Sequence, residues 1–398
     1  MNPMKKLYCR IFQTVFRIAL PVLPYRNPDI LHHVKDISSV LSAKRLHKPL
    51  LVTDAPVRNL GLTKELEDIL EESGHGAVVY DGTQQNPTSA MVAEALGLYR
   101  EHSCDCIIAF GGGSAMDCAK AVGACVAYPK KSLKQLAGIL KVVKKTPVIF
   151  AVPTTAGTGS ETTLAAVIVD EQTRHKYVIN SFPLIPSYAV LDPVVIRSLP
   201  ASVAATTGMD ALTHAIEAYI GRSVTKETGR DARKAVKLIF ANIKAAAAHE
   251  SVEAERAMLS AAHYAGRAFT RSYVGYIHAV SHSLSGKYNM PHGLVNAVLL
   301  PIVLEMYGPC VYKRLAQLAV CAELGTSAES EEELAKKMIR AIYSLNEQLG
   351  IPGKLEGIKE EDIDSLAAYA DKEANPLYPV PILWDKKQLK EIYRKVMA

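Results

Sequence analysis

The secondary-structure pattern of this sequence changes near residue 195, and that change limits the possible folds more than any other feature. Before it, short apolar runs rich in β-branched residues alternate with longer helical patterns, which predicts a parallel sheet covered by helices. The predicted strands are residues 50–53, 76–80, 106–110, 148–152, 166–170, 177–180 and 188–191, and the clearest predicted helices are residues 60–73, 88–102 and 115–127. After it, an alanine-rich helical pattern continues to the C-terminus. We therefore expect an α/β domain over residues 1–195 and an all-α domain over residues 196–398.

Length and composition exclude several classes of protein. A chain of 398 residues, 49% hydrophobic and 22% charged, is long enough for two folded domains and leaves little room for disorder. The net charge of +6 is spread along the chain, so we expect no nucleic-acid partner. No apolar run is long enough for an integral membrane span. The seven cysteines contain no CxxC pair, which indicates reduced thiols in a cytoplasmic protein.

Residues 1–28 form a separate N-terminal helical arm in this prediction. Lys5 and Lys6 precede an apolar run, but Arg10 and Arg17 interrupt it and no small-residue cleavage site follows. A signal peptide is therefore a poor interpretation. Two interpretations stay open: an amphipathic helix that packs on a neighbouring subunit, or one that lies on a membrane surface.

A run of three glycines follows the predicted strand 106–110 and opens the next helix. Glycine lets backbone N–H groups approach an anion closely, and the helix N-terminus adds a partial positive charge. The run differs from GxGxxG, so it predicts a Rossmann-like phosphate loop of another lineage, with a simple tight turn as the alternative. A second loop, residues 154–160, has four hydroxyl side chains and two glycines; its composition alone is equally typical of a solvated loop.

Polar residues end two of the predicted strands. Asp54 follows the strand 50–53, where a carboxylate can accept hydrogen bonds from ribose hydroxyls and repel a 2′-phosphate. Asn86 lies in the loop after the next strand. Asp54 therefore predicts that NAD is preferred over NADP.

The helical half contains a cluster of metal-binding residue types. Asp210 and His214 are four residues apart, as are His278 and His282, so each pair shares a helix face. His292 follows beside a proline turn. One carboxylate with imidazoles suits Fe(II) or Zn(II) in a catalytic site that keeps one position open. Five candidates for about four ligand positions leave open which histidine is not a ligand.

Four motifs in order carry a family resemblance. They are Gly-Gly-Gly-Ser-x-x-Asp at 111–117, Pro-Thr-Thr-Ala-Gly-Thr-Gly-Ser-Glu at 153–161, Gly-Met-Asp-Ala-Leu-x-His-Ala-x-Glu at 208–217 and His-Ala-x-x-His-x9-His-Gly at 278–293. Together they resemble the iron-containing (group III) alcohol dehydrogenases. The resemblance implies that the chain forms a homodimer.

The resemblance also assigns roles to residues. The implied metal ligands are Asp210, His214, His278 and His292. His282 is then a non-ligand near the substrate that relays a proton, or alternatively a residue that orients a ligand. The implied pyrophosphate loop comprises Gly112, Gly113, Ser114 and Asp117, and the further implied nucleotide contacts are Thr154, Thr155, Thr158, Lys176, Asp54 and Asn86.

The expected reaction is NAD-dependent, metal-assisted hydride transfer between a small primary alcohol or diol and its aldehyde. One alternative is another metal and NAD enzyme, of the dehydroquinate synthase or glycerol dehydrogenase type. The first of these types needs several basic residues around a phosphorylated substrate, and the motifs contain no such group. A non-catalytic metal-binding protein is the other alternative, and the nucleotide loops argue against it.

Overall fold

The computed structural model describes residues 1–171 and 176–398, without the side chains of Pro21 and Lys176. The chain divides into two compact units. One is Pro24–Leu199, and the other joins Met1–Leu23 to Pro200–Ala398. The sequence predicts residues 1–28 as an arm of the α/β domain, whereas residues 1–23 pack with the helical part. A long-range contact holds them there: Gln13 is buried, and its Nε2 donates to the carbonyl of Tyr378 at 2.7 Å.

The strands of the α/β unit form two sheets. The strands are β1 (Asp29–Leu31), β2 (Pro49–Asp54), β3 (Val78–Thr83), β4 (Cys106–Gly111), β5 (Gly138–Ile139), β6 (Val148–Pro153), β7 (Ala165–Val169), β8 (Lys176–Asn180) and β9 (Tyr188–Val190). Six of them form a parallel sheet in the order β1-β9-β6-β4-β2-β3. The other three form a small sheet in the order β5-β8-β7, in which β7 and β8 are antiparallel.

The central strands of the large sheet are mostly apolar because helices cover both faces. Every residue of β4 is buried, and in β2 only Asp54 is partly exposed. Leu51 lies opposite Ile108 in the parallel register between these two strands. This core holds the carboxyl ends of neighbouring strands at one edge of the sheet, where ligands bind in folds of this class.

Sixteen α-helices are found in the described residues. They are α1 (Pro3–Ala19), α2 (Asp36–Lys44), α3 (Ala55–Asn59), α4 (Lys64–Glu72), α5 (Ser89–Glu101), α6 (Gly113–Ala127), α7 (Leu133–Leu136), α8 (Ala201–Ile220), α9 (Lys226–Ala247), α10 (Val252–Ser272), α11 (Tyr276–Tyr288), α12 (His292–Tyr307), α13 (Pro309–Cys321), α14 (Glu331–Gln348), α15 (Ile363–Ala374) and α16 (Lys386–Val396). In the helical unit α8 packs against α9, α10 and α12, and α11 packs against α12 and α15. Among these helices, none combines the length and apolarity that a bilayer crossing requires.

The predicted fold class is confirmed: a parallel sheet with helices precedes a helical C-terminal half. The seven predicted strands are present with ends that differ by at most three residues. The helix predicted at residues 60–73 begins only at Lys64, because Gly61 has a left-handed φ of 73° and separates it from the short helix α3. Asp54 caps α3 by accepting a hydrogen bond from Val57 N at 2.9 Å.

Candidate metal and dinucleotide sites

The glycine run is the junction between β4 and α6. Gly112 is the N-cap of α6. Because glycine has no side chain, the first backbone N–H groups of the helix receive no capping hydrogen bond from it. A Cβ atom at Gly113 would lie 3.3 Å from Thr158 Cγ2, and one at Gly112 would lie 3.8 Å from Thr155 Cγ2. The glycine run and the hydroxyl-rich loop predicted separately in the sequence are therefore in contact.

A threonine hydroxyl at the contact between these two loops could bind a ligand. Thr155 Oγ1 is buried and has no hydrogen-bond partner among the described residues. A buried hydroxyl without a partner costs free energy unless a ligand or water satisfies it. An uncapped helix N-terminus beside such a hydroxyl fits the pyrophosphate of a dinucleotide. Ser114 lies in the first turn of the same helix and is partly exposed.

Asp54 and Asn86 lie after neighbouring strands of the sheet. Asp54 is the last residue of β2, and its Oδ2 lies 3.4 Å from the position that a Cβ of Gly111 would take. Half-burial raises the pKa of Asp54 above its ordinary value. Asn86 follows β3 with a left-handed φ of 59°. The predicted adenosine-side residues thus lie at the carboxyl ends of adjacent strands.

Three other predicted nucleotide contacts have different surroundings. Asp117 accepts hydrogen bonds from Val167 N at 3.1 Å and from Ser160 Oγ at 3.5 Å, so it links α6 to β7 and to the second loop. Burial raises the pKa of Asp117 to about 6. Thr154 is buried, and its N–H donates to the Gly111 carbonyl at 3.1 Å. Lys176 begins β8, but its side chain lies outside the described part of the chain, so its contact stays a prediction.

Lys120 is a residue of this site that sequence reasoning missed. Its Nζ is fully buried and donates to the Ser160 carbonyl at 2.7 Å, to Thr163 Oγ1 at 2.8 Å and to the Ala165 carbonyl at 3.0 Å. Burial lowers the pKa of Lys120 to about 8, and Asp117 opposes that shift. Lys120 therefore fixes the second loop against α6. Its spacing from Asp117, one helical turn, was a signal for it.

The predicted metal ligands converge in the helical unit. Asp210 and His214 lie on α8 and His278 on α11, and one ligand atom from each lies within 4.8 Å of the others. His292, the first residue of α12, has its Nε2 3.6 Å from Asp210 Oδ1. Ligands of one tetrahedral Zn(II) or Fe(II) ion at about 2.1 Å are roughly 3.4 Å apart, so only small side-chain movements separate this arrangement from a closed site.

The position of the Asn296 side-chain amide indicates that a cation fits this cluster. Asn296 Nδ2 donates to Asp210 Oδ1 at 2.6 Å and lies 3.0 Å from His292 Nε2 and 3.3 Å from His278 Nε2. Three acceptor atoms from three segments of chain therefore point at one hydrogen-bond donor, which has the polarity of a cation. The donor set fits one divalent metal ion. Asn296 follows His292 by one helical turn, and this spacing was a signal for it.

Glu217 is a second residue whose role sequence reasoning missed. It is buried, and its carboxylate accepts hydrogen bonds from Gly275 N at 2.8 Å and Ile277 N at 2.9 Å and contacts His278 Nδ1 at 2.6 Å. A proton on His278 Nδ1 leaves Nε2 free to bind metal. Burial lowers the pKa of His278 well below its ordinary value, so this imidazole is neutral, as a ligand must be. Glu217 follows Asp210 by two turns of α8 and therefore shares its face.

His282 lies beside the cluster rather than within it. Its ring stacks on His292 with centroids 5.1 Å apart, and its Nδ1 lies 2.6 Å from Glu373 Oε1. Its side chain is 44% exposed, in contrast to the buried His278. Tyr378 donates to the same oxygen of Glu373 at 2.7 Å. No motif pointed to Glu373, because 91 residues separate it from His282.

Comparison with known proteins gives the same family over both units. The family described as iron-containing alcohol dehydrogenase matches residues 29–193, and the C-terminal family of Fe-containing alcohol dehydrogenases matches residues 204–397. The 1,3-propanediol dehydrogenase of Citrobacter freundii is 36% identical over 386 residues, covering 96% of this chain and 98% of its own. The lactaldehyde reductase of Escherichia coli strain K12 is 34% identical and covers 81% of this chain and 85% of its own.

Solved structures agree with these matches. A crystal structure of 1,3-propanediol oxidoreductase superimposes with a TM-score of 0.90 at 35% identity, covering 94% of this chain and 99% of that one. A sulfoacetaldehyde reductase from Bifidobacterium kashiwanohense, solved with NAD+, has a TM-score of 0.83 at 27% identity over 94% of this chain and 98% of its own. This chain therefore belongs to the iron-containing alcohol dehydrogenase family and is an oxidoreductase of alcohols.

Proposed function

We propose that this chain catalyses NAD-dependent hydride transfer between a small primary alcohol or diol and its aldehyde. The observation that carries the proposal is the convergence of Asp210, His214 and His278 ligand atoms within 4.8 Å of one another. The substrate class is supported by relatives named 1,3-propanediol dehydrogenase and lactaldehyde reductase, which act on short diols and hydroxyaldehydes as their names state.

The proposed metal site consists of Asp210, His214, His278 and His292. A divalent cation there supplies Lewis-acid stabilisation of the negative charge that develops on the substrate oxygen. Glu217 keeps the proton of His278 on Nδ1, and the backbone N–H groups of Gly275 and Ile277 fix Glu217 in turn. Three nitrogen ligands and one oxygen accept Fe(II) or Zn(II), and the family favours iron.

His282 is the proposed proton acceptor for the substrate hydroxyl. Its Nδ1 is held by Glu373, so Nε2 is the atom that takes the proton. Glu373 then stabilises the imidazolium, because its carboxylate is adjacent. Burial would raise the pKa of Glu373, but His282 and the Tyr378 hydroxyl lower it below its ordinary value, which keeps the carboxylate charged. The alternative, in which His282 only orients a ligand, predicts loss of metal in a His282 variant.

The proposed dinucleotide site lies on the α/β unit. Gly112, Gly113 and Ser114 present the N-terminus of α6 to the pyrophosphate, and Thr155 supplies a hydroxyl without a partner in the described structure. Thr158, Asp117 and Lys120 hold the second loop against that helix. The carboxylate of Asp54 accepts hydrogen bonds from the ribose hydroxyls and repels a 2′-phosphate, so NAD is the proposed cofactor.

The test is an assay of short-chain aldehydes and diols with NADH or NAD+ on protein whose metal content has been measured. The variant His278→Ala should lose bound metal and turnover together, because the ligand atom is removed. The matched control is His102→Ala, an exposed histidine in the other unit, which should retain both. Turnover that persists in His278→Ala with little metal bound would contradict the proposal. A homodimer and a cytoplasmic location stay predictions.

A further inference from the structure

Helix α1 presents an apolar stripe to solvent. The side chains at positions 4, 7, 11, 15 and 18 recur at helical spacing, so they share one face. All of them are more than half exposed: Met4 79%, Leu7 62%, Ile11 55%, Val15 62% and Ile18 73%. Tyr8 and, just beyond the helix, Val22 extend the same exposed surface. A continuous apolar surface of this kind usually marks an interaction site.

The opposite face of α1 fixes the helix to the helical unit. Gln13 donates to the carbonyls of Pro376 and Tyr378, and Arg10 donates to those of Val380 and Pro381, at 2.7 to 3.2 Å. Cys9 is fully buried on this face. Lys5 forms an ion pair with Asp371 at 2.7 Å. Polar contacts therefore hold the opposite face of α1 against the helical unit, and the stripe faces solvent. The helix need not detach from the protein to expose the stripe.

The charge around the stripe is basic. Residues 1–23, which belong to the same unit as the stripe, contain Lys5, Lys6, Arg10 and Arg17 and no aspartate or glutamate. A surface depression next to the start of α1 adds Lys386, Lys387 and Lys390 beside Asp371 and Asp385. A second copy of α1 would bring the same excess of positive charge to the interface, and this long-range repulsion disfavours pairing of two stripes. The complementary occupant is apolar and negatively charged.

We propose that α1 binds the surface of an anionic lipid bilayer, with the stripe Met4, Leu7, Ile11, Val15 and Ile18 inserted among the lipids. An amphipathic helix with basic residues outside its apolar stripe, such as the exposed Lys6 and Arg17 here, lies in the plane of the interface, and anionic headgroups attract its cations. At about 1.5 Å per residue, α1 is long enough to lie along the surface as a short anchor. The family match begins at residue 29, so this property belongs to α1 and not to the matched domains.

The experiment is flotation of the full-length protein with vesicles. Wild type should float with vesicles of phosphatidylcholine and phosphatidylserine, should not float with phosphatidylcholine alone, and should dissociate at high salt. The double variant Ile11→Asp, Val15→Asp should lose this binding, and Lys6→Glu, Arg17→Glu should weaken it more than about tenfold. The matched control is Val143→Asp, an equally exposed valine of the other unit, and it should bind like wild type.

The oligomeric state and the activity of the same proteins separate the alternatives. Because the replaced side chains are exposed and lie outside the metal and dinucleotide sites, all variants should keep turnover and unfolding temperature. Wild type that fails to float with anionic vesicles overturns the proposal. If the stripe variant instead converts a wild-type oligomer to monomer while vesicle binding is absent throughout, the stripe is an interface with a second copy.

Discussion

Single buried side chains decide the chemistry of the metal cluster. His278 can bind a cation through Nε2 only if Nδ1 carries the proton, and Glu217 is the group that determines this. The same carboxylate accepts two backbone N–H groups at the start of α11. One residue therefore sets both the tautomer of a ligand and the position of its helix.

The variant Glu217→Gln should bind metal about ten to a hundred times more weakly than wild type. Its neutral amide holds His278 less firmly and can also present an N–H to Nδ1, which favours the wrong tautomer. Competition with a chelator measures the metal affinity. Glu253→Gln, on the exposed start of α10, is the control. Unchanged metal affinity in Glu217→Gln would show that the carboxylate has no role in orienting the ligand.

The variant Asp54→Ser should narrow the preference for NAD over NADP. Serine keeps the N-cap of α3, so the change removes the charge that opposes a 2′-phosphate without loss of the helix cap. The ratio of kcat/KM for the two cofactors is the measurement. Asp81→Ser, on the neighbouring strand and paired with Arg58, is the control. An unchanged ratio at Asp54 removes the role assigned to it.

At the scale of elements, the contact between α8 and α12 sets the distance between Asp210 and His292. A Cβ atom at Gly293 would lie 2.5 Å from the Thr206 carbonyl oxygen and 2.9 Å from its carbon, which is closer than any real contact. Backbone cannot give way as a flexible side chain can. The glycine therefore permits the two helices to approach closely enough for the ligands to meet.

The variant Gly293→Ala should separate these helices, destabilise the protein by about 1–3 kcal/mol and weaken metal binding. Gly286→Ala is a matched control on α11, where nothing lies within 4 Å of the added Cβ. The control should be neutral or up to about 1 kcal/mol more stable, because alanine favours helix. Denaturant unfolding and metal titration give both quantities. Equal effects of the two variants would mean that the close approach does not matter.

Helices and strands could be predicted from the sequence where the local pattern of apolar residues indicates which residues are buried. The strands β2, β4 and β6 are mostly apolar because both faces are covered, and this predicted them. The ligand pairs on α8 and α11 were predicted from their four-residue spacing. The alternating pattern predicted one parallel sheet and did not show that β7 pairs antiparallel with the next strand, β8, in a separate small sheet. The Glu373 contact with His282 could not be found from spacing, because it joins residues that are 91 positions apart.

At the scale of the whole molecule, the seven cysteines differ in their exposure to solvent, and they occur in both units. Cys104, Cys106, Cys118 and Cys125 are buried in the α/β unit, and Cys9 is buried on the inner face of α1, whereas Cys310 is exposed and Cys321 partly exposed. Burial raises the pKa of Cys104 to about 11 and that of Cys118 to about 12. Since only the thiolate reacts, these thiols are protected by both burial and protonation near neutral pH.

A thiol reagent added to native protein at pH 8 should therefore label Cys310 first, then Cys321, and leave the other five until the protein unfolds. Burial also raises the pKa of Cys310 and Cys321 from the ordinary value of 9.0, so their rates should still increase as the pH rises from 7 to 9. Mass spectrometry after timed labelling gives the order. Early labelling of Cys106 in native protein would contradict the buried position of β4.

The α/β unit is an insertion in the helical unit, because residues 1–23 and 200–398 belong together. During synthesis α1 is made well before the carbonyls that hold its polar face, those of residues 376–381, because Gln13 precedes Pro376 by 363 residues. A nascent chain must therefore carry an uncovered amphipathic helix while residues 24–199 are already complete. Truncation before residue 376 would remove these carbonyls and leave the side chains of Arg10 and Gln13 without the hydrogen bonds that fix the helix.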